Sequence, residues 1–195
     1  MAIILASASP RRQELLRLLG VDFTIHTADI DERMDKARPP ENEVERLARE
    51  KAAAVAALAA PDDVVVAADT IVVCQGEVLG KPKTEADAAR MLHLLSGRTH
   101  TVMTGLCVQS GARAESLVSR SQLRFRALSD AEIRAYIATG EPMDKAGSYG
   151  IQGRASVFVE HLDGDYFSVM GLPLCPLTAL LRRFGVRILN CPERR

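Results

Sequence analysis

The chain has 195 residues, 47% of them apolar and 26% charged, ordinary globular usage that excludes a disordered or fibrous protein and permits a sizeable core. Lysine plus arginine equals aspartate plus glutamate at 25 each, so the basic excess of a long nucleic-acid binder is missing, whereas a small anion needs only a local gathering of cations. Cys74, Cys107, Cys175 and Cys191 form no Cys-x-x-Cys pair, which points away from zinc and toward reduced thiols in a cytoplasmic protein. The apolar run Ile3-Ile4-Leu5 follows no basic region and reads as no signal peptide, and no stretch approaches the roughly 20 apolar residues of a membrane span.

In chain order, residues 1–6 read as a buried strand and 10–19 as a helix, opened by Ser9 and stopped by Gly20. Residues 21–26 are a second strand, and 27–41, polar and proline-containing, a loop. A long helix is predicted over 43–59, with Asn42 as cap and Glu45 three residues on. Residues 64–74, β-branched and apolar, form a central strand that ends in a Gln75-Gly76 turn. Thr84 and Asp87 open a helix whose Ala88, Met91, Leu92 and Leu95 make an apolar stripe before Ser96-Gly97. Residues 99–109 and 115–125 pair as an antiparallel hairpin, and Ser129 with Glu132 caps a helix ending near Gly140. Residues 147–153 are a glycine-punctuated loop, 157–162 and 166–169 short strands, and 173–184 a closing helix. The order implies an α/β fold with a mixed, partly antiparallel sheet flanked by helices. Residues 1–189 are expected to form one catalytic domain, and 190–195 a frayed tail.

Several groups stand out chemically. The Ser9-Pro10 junction sets a helix start, whose first amides lack internal acceptors, beside the hydroxyls of Ser7 and Ser9 and the guanidinium forks of Arg11 and Arg12. Either an anion site or a capped surface helix fits that composition. Asp69 interrupts the apolar run Val64-Val65-Val66-Ala67-Ala68 and Thr70-Ile71-Val72-Val73, where a buried carboxylate requires a partner. It is a candidate to hold a hard divalent ion or to take a proton from water, the alternative being a strand-end acid bonded to amides. Lys51 shares the helix stripe of Val44, Leu47, Ala48, Val55 and Leu58, so it either meets an anion or snorkels past the core edge. Lys81 sits in the rigid loop Gly80-Lys81-Pro82; the preceding string lacks P-loop spacing and the Ser or Thr after Lys, and a solvated lysine is the alternative. Asp31 and Glu32 are candidates to join Asp69 around magnesium, or else solvent-facing acids. His26, His93, His100 and His161 show no metal-ligand spacing and read as structural or exposed.

Taken together, Leu5-Ala6-Ser7-Ala8-Ser9-Pro10-Arg11-Arg12, Leu47-Ala48-Arg49-Glu50-Lys51-Ala52, Ala68-Asp69-Thr70, Gly80-Lys81-Pro82, Leu95-Ser96-Gly97, His100-Thr101-Val102 and Gly147-Ser148-Tyr149-Gly150-Ile151-Gln152-Gly153 resemble the Maf family of nucleoside triphosphate pyrophosphatases. The motifs stand in the family's order across nearly the whole chain. The resemblance implies two lobes around a substrate cleft, as in inosine-triphosphatase-like folds. It implies Ser7, Arg11, Arg12, Lys51 and Lys81 on the phosphates, with Lys51 and Lys81 in the catalytic group. Asp69 is the implied acid-base and metal-associated residue, and Glu32 a second carboxylate near Mg²⁺ or Mn²⁺. The loop Tyr149-Gly150-Ile151-Gln152-Gly153 resembles the branch acting on dTTP and UTP, with Arg11, Thr70 and Gln152 linked to base choice. A glutamine amide can accept from N3–H and donate to O4 of uracil or thymine, provided its neighbours hold it fixed. The expected partner is thus a nucleoside triphosphate, without long nucleic acid or membrane, and a homodimer is compatible with the family. Two alternatives stay open: a purine-directed house-cleaning pyrophosphatase, and a nucleotide-binding regulator of cell division without turnover.

Overall fold

The computed structural model describes residues 1–27 and 29–189; Ala28, and the expected tail 190–195 with Cys191, lie outside the described residues. The chain runs β1 (Ile3–Leu5), α1 (Pro10–Arg17), β2 (Phe23–Ile25), α2 (Pro40–Ala56), β3 (Val64–Cys74), β4 (Glu77–Leu79) and α3 (Glu85–Leu95). The hairpin β5 (Thr99–Ser110) and β6 (Arg113–Phe125) follows, then α4 (Asp130–Ile137), β7 (Val159–Asp163), α5 (Tyr166–Met170) and α6 (Leu174–Arg183). Between α4 and β7 lie 3₁₀ turns at Glu141–Asp144, Ala146–Ser148 and Arg154–Phe158. Among the described residues the strands form one sheet in the order β2-β1-β3-β5-β6-β7, with β4 also on β3. β1 runs parallel to β2 and β3, and every other pairing is antiparallel, which makes the sheet mixed as expected.

Alternation along β3 decides where the core lies. Val64, Val66 and Ala68 face a cluster with Leu15, Leu16, Leu177 and Leu181 of α1 and α6, and Val65 and Ala67 face Ala48, Ala52 and Val55 of α2. Farther along, Val72 belongs to a separate cluster with Leu92 and Leu95 of α3, Ile133 of α4 and an aromatic group of Phe125, Tyr136, Tyr149 and Phe158. On one face of the sheet two cores thus follow in succession, with the α2 cluster on the other face. α2 is seated on the sheet at Gly105, where a Cβ would lie 2.3 Å from the Val44 carbonyl oxygen. Because Gly105 pairs with Asp69 across β3 and β5, the close seat of α2 lies directly beside that aspartate.

Four local expectations are corrected. Residues 166–169 form not a strand but α5: Asp165 accepts from the Phe167 N–H at the start, and left-handed Gly171 (φ 112°) ends it. α2 begins at Pro40 rather than after Asn42, since proline at the first helical position loses no intrahelical bond. It ends at Ala56, leaving Leu58 84% exposed rather than on the buried stripe. The Gln75-Gly76 turn, with φ of 50° and 80°, closes a hairpin to β4, a short strand not foreseen. Among the described residues no helix is long and apolar enough to cross a membrane, and Cys74, Cys107 and Cys175 are free thiols.

The seat of α2 gives a first test. Gly105→Ala must push helix backbone off the sheet and should destabilise the chain by about 3 kcal/mol in urea unfolding; an unchanged midpoint would mean that α2 is not fixed there. His100 gives a second. Burial pulls its imidazole from 6.5 to about 4, and its Nε2 lies 2.8 Å from the Tyr149 hydroxyl. Between those two values the unfolded chain binds the extra proton, so stability rises with pH and is lost as pH falls. His100→Gln, which keeps a partner for Tyr149, should therefore flatten the fall in urea midpoint between about pH 6.5 and 4. An equally steep fall in the variant would assign the whole acid limb to carboxylates.

Candidate active site

The site opens where β3 changes neighbours. β1 pairs with Val64, Val65 and Val66 and β4 with Val72, Val73 and Cys74, so on that edge the stretch between has no strand neighbour among the described residues. β5 supports the other edge throughout. The divergence leaves a cleft of about 910 Å³. Ser7 reaches it from the β1–α1 turn, Arg11 and Arg12 from the first turn of α1, Asp69 and Thr70 from β3, Lys51 from α2, Lys81 from the segment after β4, Glu32 from the loop after β2, and Gln152 from the glycine loop. All the residues to which the sequence assigned a site role line this one cavity except Asp31.

Lys51 is the electrostatic centre. Only 8% exposed, it places Nζ 2.5 Å from Asp69 Oδ1 and 2.8 Å from Glu32 Oε1. Two carboxylates thus share one ammonium, which resolves the demand of the buried aspartate for a partner. Partial burial disfavours the Glu32 carboxylate, yet the Lys51 hydrogen bond and charge, with Lys81 and Arg12 behind it, hold its pKa below the usual range. Asp31 does not join them: its exposed carboxylate pairs with Arg33 at 2.6 Å. Among the described residues no cluster of three or more His, Cys, Asp or Glu could hold a metal. The Asp69 and Glu32 pair does fit a hard divalent ion that takes its other oxygens from phosphates and water, as Mg²⁺ commonly does.

Arg12 is anchored on the opposite face of β3. Its Nε donates to the Gly171 carbonyl (2.9 Å), Nη1 to Ser7 Oγ (3.3 Å) and Nη2 to Thr70 Oγ1 (3.2 Å). Thr70 Oγ1 lies 3.0 Å from Thr104 Oγ1, and Thr104, fully buried, donates to the Ser168 carbonyl at 2.8 Å. A hydroxyl has one proton, so Thr104 spends its own on Ser168 and must accept from Thr70. The chain therefore runs in one direction, and Thr70 can only accept from Arg12. Two N–H groups of the guanidinium, one on each Nη, are left for a ligand. Burial draws the Arg12 pKa down, opposed by the charge of Asp69. Nearby, Ser9 stands at the N-cap of α1 without capping it; its own N–H donates to Ser7 Oγ, and the uncapped first turn faces an anion-ready position. Lys81 is exposed and has no ion-pair partner among the described residues.

The far wall is the glycine loop. Gly147 (φ 68°) donates its N–H to the Gly80 carbonyl, tying the loop to the turn that carries Lys81, and a Cβ there would meet the Val72 side chain at 2.9 Å. Gln152 is exposed and its amide has no intramolecular partner among the described residues. Arg11 reaches across to Asp144 (Nη1–Oδ2 3.0 Å), whose Oδ1 is 2.7 Å from Lys145 Nζ. Thr104, Glu141, Asp144 and Lys145 were not among the candidates read from the sequence. The run Glu141-Pro142-Met143-Asp144-Lys145, three charges just before a glycine-rich loop, was the available signal for the last three; Thr104 had none, being an ordinary β-branched strand residue.

Comparison with known proteins identifies the family and the fold. The family described as Maf-like protein matches residues 2–184. A dTTP/UTP pyrophosphatase of Moorella thermoacetica is 54% identical over 188 residues, covering 95% of this chain and 96% of that protein. Another, of Bacillus pumilus, is 48% identical and covers 94% and 97%. Among solved structures, the Ham1 protein of Staphylococcus aureus superposes with TM-score 0.54 at 13% identity (94% and 99% covered). A HAM1 protein of Coxiella burnetii gives 0.51 at 17% identity (94% and 100% covered), and both are likenesses of fold. The matched span takes in the split sheet, the lysine-bridged carboxylates and the glycine loop alike, and the chain belongs to the Maf family.

Proposed function

We propose that the chain hydrolyses dTTP and UTP to the nucleoside monophosphate and pyrophosphate. The observation that carries this reading is the polarity of the cleft: a lysine-bridged pair of carboxylates with Arg12, Ser7 and Lys81 in one part, and the unpartnered Gln152 amide in another. The relatives about half identical over nearly their full length, named dTTP/UTP pyrophosphatase, support it.

In this mechanism Asp69 is the proton acceptor. Lys51 ties up Oδ1, which leaves Oδ2 to take a proton from the water that attacks the α-phosphorus. The new P–O bond forms as the α–β anhydride breaks, and the leaving pyrophosphate carries off the electron pair. Lys81, Arg11 and the two remaining N–H groups of Arg12 stabilise the charge that develops there, while the first-turn amides of α1 add a fixed dipole. Asp69 and Glu32 would hold Mg²⁺ or Mn²⁺, which when bound supplies Lewis-acid neutralisation of phosphate oxygens. Gln152 accepts from N3–H and donates to O4 of the base.

Incubation with a panel of pyrimidine and purine triphosphates should release pyrophosphate, not orthophosphate, and fastest from dTTP and UTP. Orthophosphate as first product would overturn α–β cleavage, and purine preference would overturn the reading of Gln152. Asp69→Asn should lower kcat by about 10³-fold while nucleotide binding survives; near-normal turnover would remove Asp69 from the chemistry.

A further inference from the structure

Gln152 can discriminate bases only if its backbone sets the amide opposite the base edge, because an amide displaced from that edge loses the paired N3–H and O4 contacts on which the choice of uracil rests. Its side chain has no partner in the protein among the described residues, so the constraint must come from the loop. The structure assigns that task to Glu141, as the positioning residue for base selection. This inference rests on the pyrimidine reading above.

Each polar group of Glu141 is engaged. Its Oε2 accepts the N–H of Arg154, two residues beyond Gln152, at 3.0 Å, and its Oε1 accepts the Tyr136 hydroxyl of α4, also at 3.0 Å. Its N–H donates to Thr139 Oγ1 (3.2 Å), and its carbonyl accepts Lys145 Nζ (2.7 Å). The loop shows the imprint of this contact. A Cβ on Gly153 would lie 2.1 Å from Glu141 Oε1, and one on Gly150 would lie 2.7 Å from Lys145 Cε. The glycines on either side of Ile151-Gln152 are therefore the places where Glu141 and Lys145 press against the loop. Burial, reinforced by the Glu141 charge, pushes the Tyr136 pKa upward, so the phenol stays a donor at every working pH. A carboxylate is the side chain that suits the position: it accepts two donors at once, whereas a glutamine of the same size must turn its NH₂ toward one of them.

The connection continues beyond the loop. Lys145 also binds Asp144, and Asp144 holds Arg11 from the opposite wall, so Glu141 links the base-reading loop to a phosphate-side cation. Tyr136, by contrast, is buried in the aromatic core and does not line the cleft, so its hydroxyl acts on the loop from behind, through Glu141 and the Gly150 backbone.

The test compares kcat/KM for UTP and CTP in the wild type, Glu141→Gln and Tyr136→Phe, with thermal unfolding of each. The wild type should favour UTP; Glu141→Gln should lower that ratio about tenfold, chiefly through KM for UTP, with kcat within about threefold. Tyr136→Phe should lower it less, in the same direction. A wild type with no preference overturns the pyrimidine reading and this inference with it. A wild type that discriminates, together with a Glu141→Gln variant that keeps the full ratio, overturns the inference alone. Loss of kcat and stability in Glu141→Gln with an unchanged ratio overturns it as well, since that is the mark of a residue that only packs.

Discussion

The architecture depends on one strand having two successive neighbours on the same edge. β3 is held by β5 along its length, but β1 leaves it after Val66 and β4 joins it only at Val72. A buried strand edge without a partner normally costs unsatisfied backbone groups. Here the gap opens into a cleft, and the residues exposed in it are Asp69 and Thr70, one on each face of the sheet. The continuous β5 side keeps them rigid while the divergent side leaves room for a ligand. The candidate reacting groups thus sit on a strand paired along one edge rather than on a loop, the arrangement expected to hold them to a narrow geometry.

The two faces do different work. On the α2 face, the missing side chain of Gly105 lets the helix lie close, and Lys51 falls between Asp69 and Glu32. On the other face, Thr70 and Thr104 sit opposite each other at the boundary of the two cores and hold Arg12 through a one-way chain of hydroxyls. Both arrangements place a cation by burying the atoms that aim it. Rotamer freedom is given up in folding rather than when a substrate arrives, which is how preorganisation lowers the cost of binding.

What the sequence revealed followed from contradiction with local context. An aspartate within Val64 to Val73 and a lysine on an apolar helix stripe are both anomalies that demand a partner, and the structure makes them each other's. Capping pairs such as Ser129 with Glu132 and stripes such as Ala88, Met91, Leu92 and Leu95 were equally legible, because their partners lie within a few residues. The failures have the opposite cause. Residues 166–170 carry aromatic and β-branched side chains that favour a strand, and the helix is set by Asp165 and Gly171 at its ends. Asp144 meets Arg11 across 133 residues of sequence, and no spacing rule anticipates such a contact.

The ion pairs within the cleft also bear on how a polyanion enters it. Lys51 is already matched by Asp69 and Glu32, and Arg11 and Lys145 by Asp144. Beside Lys81 and the open side of Arg12, a triphosphate therefore exchanges partners with resident carboxylates, and that part of its affinity is a difference between two sets of charge pairs. Such a site exerts little long-range pull on anions, in keeping with a chain of zero net charge. It favours a ligand long enough to displace several pairs together over the orthophosphate that is abundant in any cell. Length of the phosphate chain, not charge alone, becomes the quantity the cleft measures.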